Sequence, residues 1–337
     1  MRRHIFISFL FVLILSMGHA QVNKSIFDCV FNMEGIPTLK LETNWNKLIN
    51  QKLSEEYIPA TLELPYGGKT HIFEVRIRAR GNMRKQVCFF PPIKIDFKKG
   101  DLHKQKLDTS IDKLKMVFQC KDGSVNSEYL MKEKLAYEIF EVISPDYYVY
   151  HKQIKIECTQ EGKTKYTLDA MIVEDESELA DRINGKVIET GKVMPPALDK
   201  DSYLRMAFFQ YLIANTDWSI PNKHNVEMIK VPNVAKVIPL AYDFDYAGMV
   251  GTQYAVPYET LPIKSVTERY FMAHGITEAD ALATAKYFVE KKADVQKKID
   301  ECIGLDDKDK ASITKFFKPF WDIVESEKAT KKAFVGQ

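Results

Sequence analysis

The block Asn215-Thr-Asp-Trp-Ser-Ile-Pro-Asn-Lys-His-Asn225, followed by an apolar run and then Tyr242-Asp-Phe-Asp-Tyr246, constrains the fold more than any other part of the chain. The amphipathic run over 203–214 predicts a helix that stops just before Asp217. Residues 226–231 and 234–241 are apolar and β-prone, which predicts two strands of a hairpin. The first strand leaves Asn225 and the second delivers Asp243 and Asp245. A helix exit and a hairpin end then meet, and oxygen-bearing side chains gather where they do: Asp217, Asn225, Asp243 and Asp245. Asn215, Asn222 and His224 are further candidates within the same loop.

Upstream, residues 1–20 read as a secretory leader. Arg2 and Arg3 are followed by an apolar run over 5–15, too short to span a bilayer, and by a small-residue cleavage site at Gly18-His-Ala20. The expectation is an exported chain that begins near Gln21 and has no integral membrane segment once the leader is removed. Of 48 basic residues two lie in that leader, and none of the 46 acidic ones does. The remainder is therefore neutral, which disfavours a nucleic-acid partner recognised by bulk charge. The five cysteines, Cys29, Cys88, Cys120, Cys158 and Cys302, show no CxxC spacing. Cys88 and Cys120 each stand at an expected strand end, so a disulfide between them and a set of buried free thiols are both open.

Taken in order, residues 21–184 are mostly β in character. Residues 71–80 alternate, with Phe73, Val75, Ile77 and Ala79 on one face and Glu74, Arg76, Arg78 and Arg80 on the other. Arg80-Gly81-Asn82 ends that strand, 89–97 starts the next and 114–119 completes the group. A helix is expected over 126–143, stopped by Pro145, with Leu130, Met131, Leu135, Ile139 and Phe140 on its apolar side. Residues 147–158 and 165–173 read as a hairpin around Glu161-Gly162, and 174–182 as a short helix. Residues 185–200, with their glycines and prolines, are the expected linker to a mainly helical part over 201–337. There, 265–273, 277–304 and 305–328 are expected to be helical, and 247–262 irregular.

The chain has no Walker-type loop, no Gly-x-Gly-x-x-Gly, no Gly-x-Ser-x-Gly and no His-Glu-x-x-His. What remains is an oxygen-donor set of the kind that holds magnesium, which takes one or two carboxylates and keeps waters or phosphate oxygens. Arg78-Ala-Arg-Gly-Asn82, the aromatic-proline approach to Ile93-Lys-Ile, the 130–140 helix, Met171-Ile-Val-Glu-Asp175, the Asp217 loop and Tyr242-Asp-Phe-Asp follow one another in an order that resembles the CotH (spore coat protein H) kinase-like family. The likeness runs from about Arg78 to Asp245.

The resemblance implies an α+β, atypical protein-kinase-like two-lobed fold, with a β-rich N-terminal lobe and a mainly helical C-terminal lobe. It implies ATP and Mg as cofactors and transfer of phosphate to a Ser/Thr hydroxyl of a protein substrate. By the same resemblance Asp217 matches the catalytic aspartate, and Asn225, Asp243 and Asp245 are the metal candidates. Arg80 and Lys94 are candidates for the phosphate side, with Glu133 or Glu174 as their acid partner. The alternative is a non-catalytic protein on the same fold that binds an envelope partner through the loop around Tyr254 and Tyr258.

Overall fold

A computed structural model describes residues 24–54 and 56–336 of the chain, so the expected leader lies outside the described residues. Seven strands, β1 (Thr38–Thr43), β2 (Ile58–Tyr66), β3 (Lys69–Ala79), β4 (Ile93–Phe97), β5 (Lys113–Phe118), β6 (His151–Gln160) and β7 (Lys163–Val173), close into a barrel in the order β1-β2-β3-β4-β5-β7-β6. Neighbours are antiparallel except at the seam, where β1 and β6 run parallel with Leu39 opposite Ile156 and Leu41 opposite Cys158. Closure removes the unpaired edges that an open sheet would expose.

The alternation expected over 71–80 fills this barrel. Phe73, Val75, Ile77 and Ala79 are buried, and Arg76 on the other face pairs with Asp96 of β4. Ile93, Ile95, Leu114, Met116, Ile154, Ile156, Leu168 and Ile172 complete the interior. Two short helices that the β-rich composition hid, α1 (Ile26–Phe31) and α2 (Trp45–Asn50), add Ile26, Phe27, Val30 and Trp45 to the same core. Two more interrupt the strands: α3 (Met83–Val87) after the Arg80-Gly-Asn turn and α4 (Lys99–Lys104) after β4. Cys88 and Cys120 are joined by a disulfide that ties the end of α3 to the end of β5, while Cys29, Cys158 and Cys302 are buried and free.

The long helix α5 (Ser124–Ile143) links the barrel to a second core. Its apolar side, Leu130, Met131, Leu135, Ile139 and Phe140, is buried as the periodicity required, against Val117, Met171 and Val173 on the outer barrel wall. Beyond α6 (Glu176–Arg182) this core is built by α7 (Lys200–Leu212), a sheet of β8 (Lys186–Val187), β9 (Val226–Lys230) and β10 (Val237–Ala241), and the closing helices α8 (Glu278–Glu301), α9 (Asp307–Val324) and α10 (Glu327–Phe334). Phe208 of α7 stands at its centre, against Phe271, Phe288 and Phe334. Truncating a phenylalanine so enclosed costs about 3–5 kcal/mol. The fold is thus mixed α+β, with a β-rich first half and helices toward the C-terminus. No helix among the described residues is long and apolar enough to cross a membrane.

Two expectations need correction. Residues 185–200 are more than a linker, because they supply β8, which pairs with β9, and a bridge from Leu198 to Val237. Residues 265–273 are not helical. Their backbone lies flat against the turn at Gly248, where a Cβ would stand 2.3 Å from the carbonyl oxygen of Val266. Arg269 reaches from this stretch to the carbonyls of Leu212 and Phe316, and Phe271 is drawn into the aromatic core. Tertiary contacts override a weak local preference here.

Candidate functional site

The exit of α7 sets the first half of the site. Ala214 takes a left-handed backbone, φ 51°, so the chain leaves the helix abruptly. Asn215, 1% exposed, holds that turn: its amide donates to Gln210 Oε1 at 2.9 Å, and its Oδ1 accepts from the backbone N–H of Asp217 at 3.0 Å. The loop closes through paired backbone hydrogen bonds between Ser219 and His224, both 3.0 Å. Asn222 sits at the exposed tip, donates its backbone N–H to Ser219 Oγ, and does not line the cavity. Asn215 and Asn222 therefore shape the loop.

Three side chains hold the Asp217 carboxylate. His224 Nε2 lies 2.8 Å from Oδ1, the Asn225 amide donates to Oδ2 at 2.9 Å, and the Tyr258 hydroxyl donates to Oδ1 at 2.6 Å. The Asn225 amide also donates to the backbone carbonyl of Asp217 at 2.8 Å. With its nitrogen so engaged, Asn225 has its amide oxygen left to offer a cation. Of the three further loop candidates, His224 alone reaches the carboxylate, gripping it with its ring.

Strand β10 supplies the second half. Asp243, φ 58°, donates its backbone N–H to the Tyr137 hydroxyl on α5 at 3.1 Å. Among the described residues its carboxylate makes no hydrogen bond or ion pair. Burial, and then the negative charges of Asp245 and Glu133, hold that carboxyl well above the ordinary carboxylate range. Asp245 is committed elsewhere: its Oδ2 accepts from Arg84 Nε and from the Tyr254 hydroxyl, each at 2.9 Å. As a metal candidate Asp245 is thus a weaker one than Asp243. Glu133, raised chiefly by burial, pairs with the other arm of the same guanidinium.

Asp217, Asn225, Asp243, Asp245, Glu133, His224 and Arg80 all line one cavity of about 570 Å³ between the barrel mouth and the hairpin. Arg80 donates to the Tyr242 hydroxyl at 3.0 Å and also lines a smaller adjoining cavity of about 340 Å³. Lys94 lies in that second cavity with Arg78, Lys85 and Lys115, its Nζ 3.8 Å from Asp175. Glu174 is not brought to either cavity. It is fully buried beside α6, where it accepts from Arg182 at 2.7 and 2.9 Å and from the backbone N–H of Tyr150 at 2.9 Å.

Sequence reasoning missed Arg84, Lys115, Tyr137 and Tyr242. Arg84 carries no local pattern, since one arginine in a five-residue helix looks like surface charge. Lys115 had a readable signal, a cation set between Leu114 and Met116 in a buried strand; it pairs with Glu176 and with Asp175 at 3.4 Å. Compared with protein-family models and with curated proteins, the chain matches none significantly.

Among the described residues no three or more His, Cys, Asp and Glu side chains are grouped to hold a metal ion. The donors available are one uncommitted carboxylate, one amide oxygen and the solvent of an open cavity. That set fits a magnesium ion that completes its shell with water or phosphate, better than an all-protein cage. The cavity beside it sets five basic side chains, Arg78, Arg80, Lys85, Lys94 and Lys115, against Glu176 and Glu227, an excess of positive charge that favours an anionic group.

Proposed function

We propose that this cavity takes magnesium and ATP and transfers the terminal phosphate to a Ser/Thr hydroxyl of a protein substrate, as the CotH-like resemblance implies. The observation that carries the reading is the convergence on one cavity of Arg80 from the barrel with Asp217, Asn225 and Asp243 from the loop and hairpin more than 130 residues later. In this reading the barrel and the helical half act as the two lobes of an atypical kinase-like fold, and the chain works after export. Asn225 and Asp243 would hold magnesium, whose chemistry there is to neutralise phosphate charge. Arg80 and the neighbouring Lys94 steady the transferred phosphate and its leaving oxygen. Asp217, gripped by His224 and Asn225, orients the acceptor hydroxyl and takes its proton. Glu133 serves through Arg84, which it holds at the cavity wall.

The test is a thermal melt of the chain from Gln21 onward with magnesium and ATP. At a ligand concentration a hundredfold above Kd the stabilisation is about 2.7 kcal/mol, which for a chain of this size is a rise of about 5 °C. The rise should need magnesium and should vanish in Asp243→Ala. No rise would overturn the reading. It would favour instead the non-catalytic envelope-binding alternative, which draws support from Tyr254 and Tyr258 already engaging Asp245 and Asp217.

A further inference from the structure

Tyr258 is a hydroxyl already seated on the aspartate that orients the acceptor. It belongs to the irregular stretch between β10 and α8, and with Val256 and Pro257 it lines the main cavity. The residue is 51% exposed and Val256 is 64% exposed, so hydrophobic packing does not pin this strap in place. What reaches inward is the phenol, whose hydroxyl donates to Asp217 Oδ1 at 2.6 Å. The length of a tyrosine lets the strap backbone stay outside while the oxygen enters, which a serine at this position could not do.

We propose that Tyr258 is a built-in acceptor, phosphorylated by its own chain from magnesium and ATP. The proposal rests on the phosphoryl-transfer reading and adds to its Ser/Thr acceptors a phenolic one, supplied by the chain itself. The phenolic oxygen attacks the γ-phosphorus and forms a new P–O bond. The bond from that phosphorus to the β–γ bridging oxygen breaks, and its electron pair leaves with ADP. The phenolic proton passes to Asp217 and on to solvent. Burial of the hydroxyl and its bond to Asp217 keep the phenol protonated well above its ordinary range, so the step needs a base at that atom. Once modified, Tyr258 carries a dianion that repels Asp217, and the strap is released from the cavity.

The experiment incubates the chain from Gln21 onward with magnesium and ATP and maps phosphopeptides by mass spectrometry, with the thermal melt run in parallel. The expected result is one phosphate per chain, on Tyr258, at a rate per chain independent of protein concentration. Asp217→Asn should slow it by about a hundredfold or more, and Tyr258→Phe should leave that peptide unlabelled. A nucleotide-dependent melt with no phosphate on Tyr258 overturns this proposal and leaves the phosphoryl-transfer reading standing. Labelling whose rate per chain rises in proportion to protein concentration overturns the intramolecular step. No nucleotide-dependent melt overturns both.

Discussion

Replacing Arg84 with methionine tests whether the cavity floor is a desolvated ion network. The guanidinium meets Glu133 with one arm and Asp245 at 2.9 Å with another, and the three side chains are 10%, 2% and 8% exposed. Methionine roughly keeps the volume and removes the charge, which strands two carboxylates. Breaking a buried pair from one side costs about 3–5 kcal/mol, because the remaining charge has lost both its partner and its water. At about 2 °C per kcal/mol, the lower end for long chains, the melt falls by about 6–10 °C.

The pH dependence of that loss has a definite sign. Burial raises the Glu133 carboxyl above its ordinary value of 4.5, and Arg84 opposes the rise, so removing Arg84 raises it further. An acid raised in the folded state costs stability once pH exceeds its unfolded value, and the cost disappears below it. Urea unfolding followed by tryptophan fluorescence should show the full deficit near pH 8 and a smaller one near pH 4.5. Replacing Glu133 with leucine in the same variant should recover part of the loss, since an apolar pair of similar volume tolerates burial. A deficit below about 1 kcal/mol, the worth of an exposed pair, would show that water screens the network and would refute the reasoning.

Asp243→Asn should raise the melting temperature near pH 8, because the wild-type carboxyl is raised well above 3.8 by burial and by Asp245 and Glu133. The gain should shrink as pH falls toward that value; a variant less stable than wild type at pH 8 would contradict the crowding of charge. The Cys88–Cys120 bridge spans 32 residues, a loop whose closure contributes about 3–4 kcal/mol, so reduction should lower unfolding stability by about that amount. With the bridge intact, thiol titration should find no fast-reacting cysteine in the native chain and three in denaturant, Cys29, Cys158 and Cys302.

Local patterning carried the parts of this fold that are local. The period-two run through Phe73, Val75 and Ile77 became β3, and the period-3.6 run through Leu130 and Phe140 became α5, each burying the face its spacing demanded. The Asp217 loop and the Asp243 strand end were legible for the same reason, as each is bounded by its own periodic element. The barrel seam was not legible. Leu39 meets Ile156 across more than a hundred residues, and nothing near either one marks a parallel partner. Arg84 escaped for the same cause: it enters the cavity from the five-residue helix α3, whose direction is set by what it touches.

The backbone at the site shows how the distant parts cooperate. Ala214, Lys223, Asn225 and Asp243 all hold left-handed φ values between 49° and 58°, a region that Ala and Lys seldom adopt. Sparsely populated backbone of this kind costs about 1–3 kcal/mol per residue and persists only where surroundings over-determine it. Here they do: Asn215 clamps the Ala214 turn to Gln210, the Ser219–His224 pairing fixes Lys223, Asn225 is tied to Asp217, and Tyr137 of α5 holds the Asp243 N–H. Three of these clamps lie within the loop and helix that the sequence announced. The fourth comes from α5, which packs on the barrel wall, so the orientation of Asp243 depends on the barrel and the hairpin being docked. The Asp243 carboxylate, which makes no hydrogen bond or ion pair among the described residues, is therefore held on strained backbone that two separately built cores fix from either side.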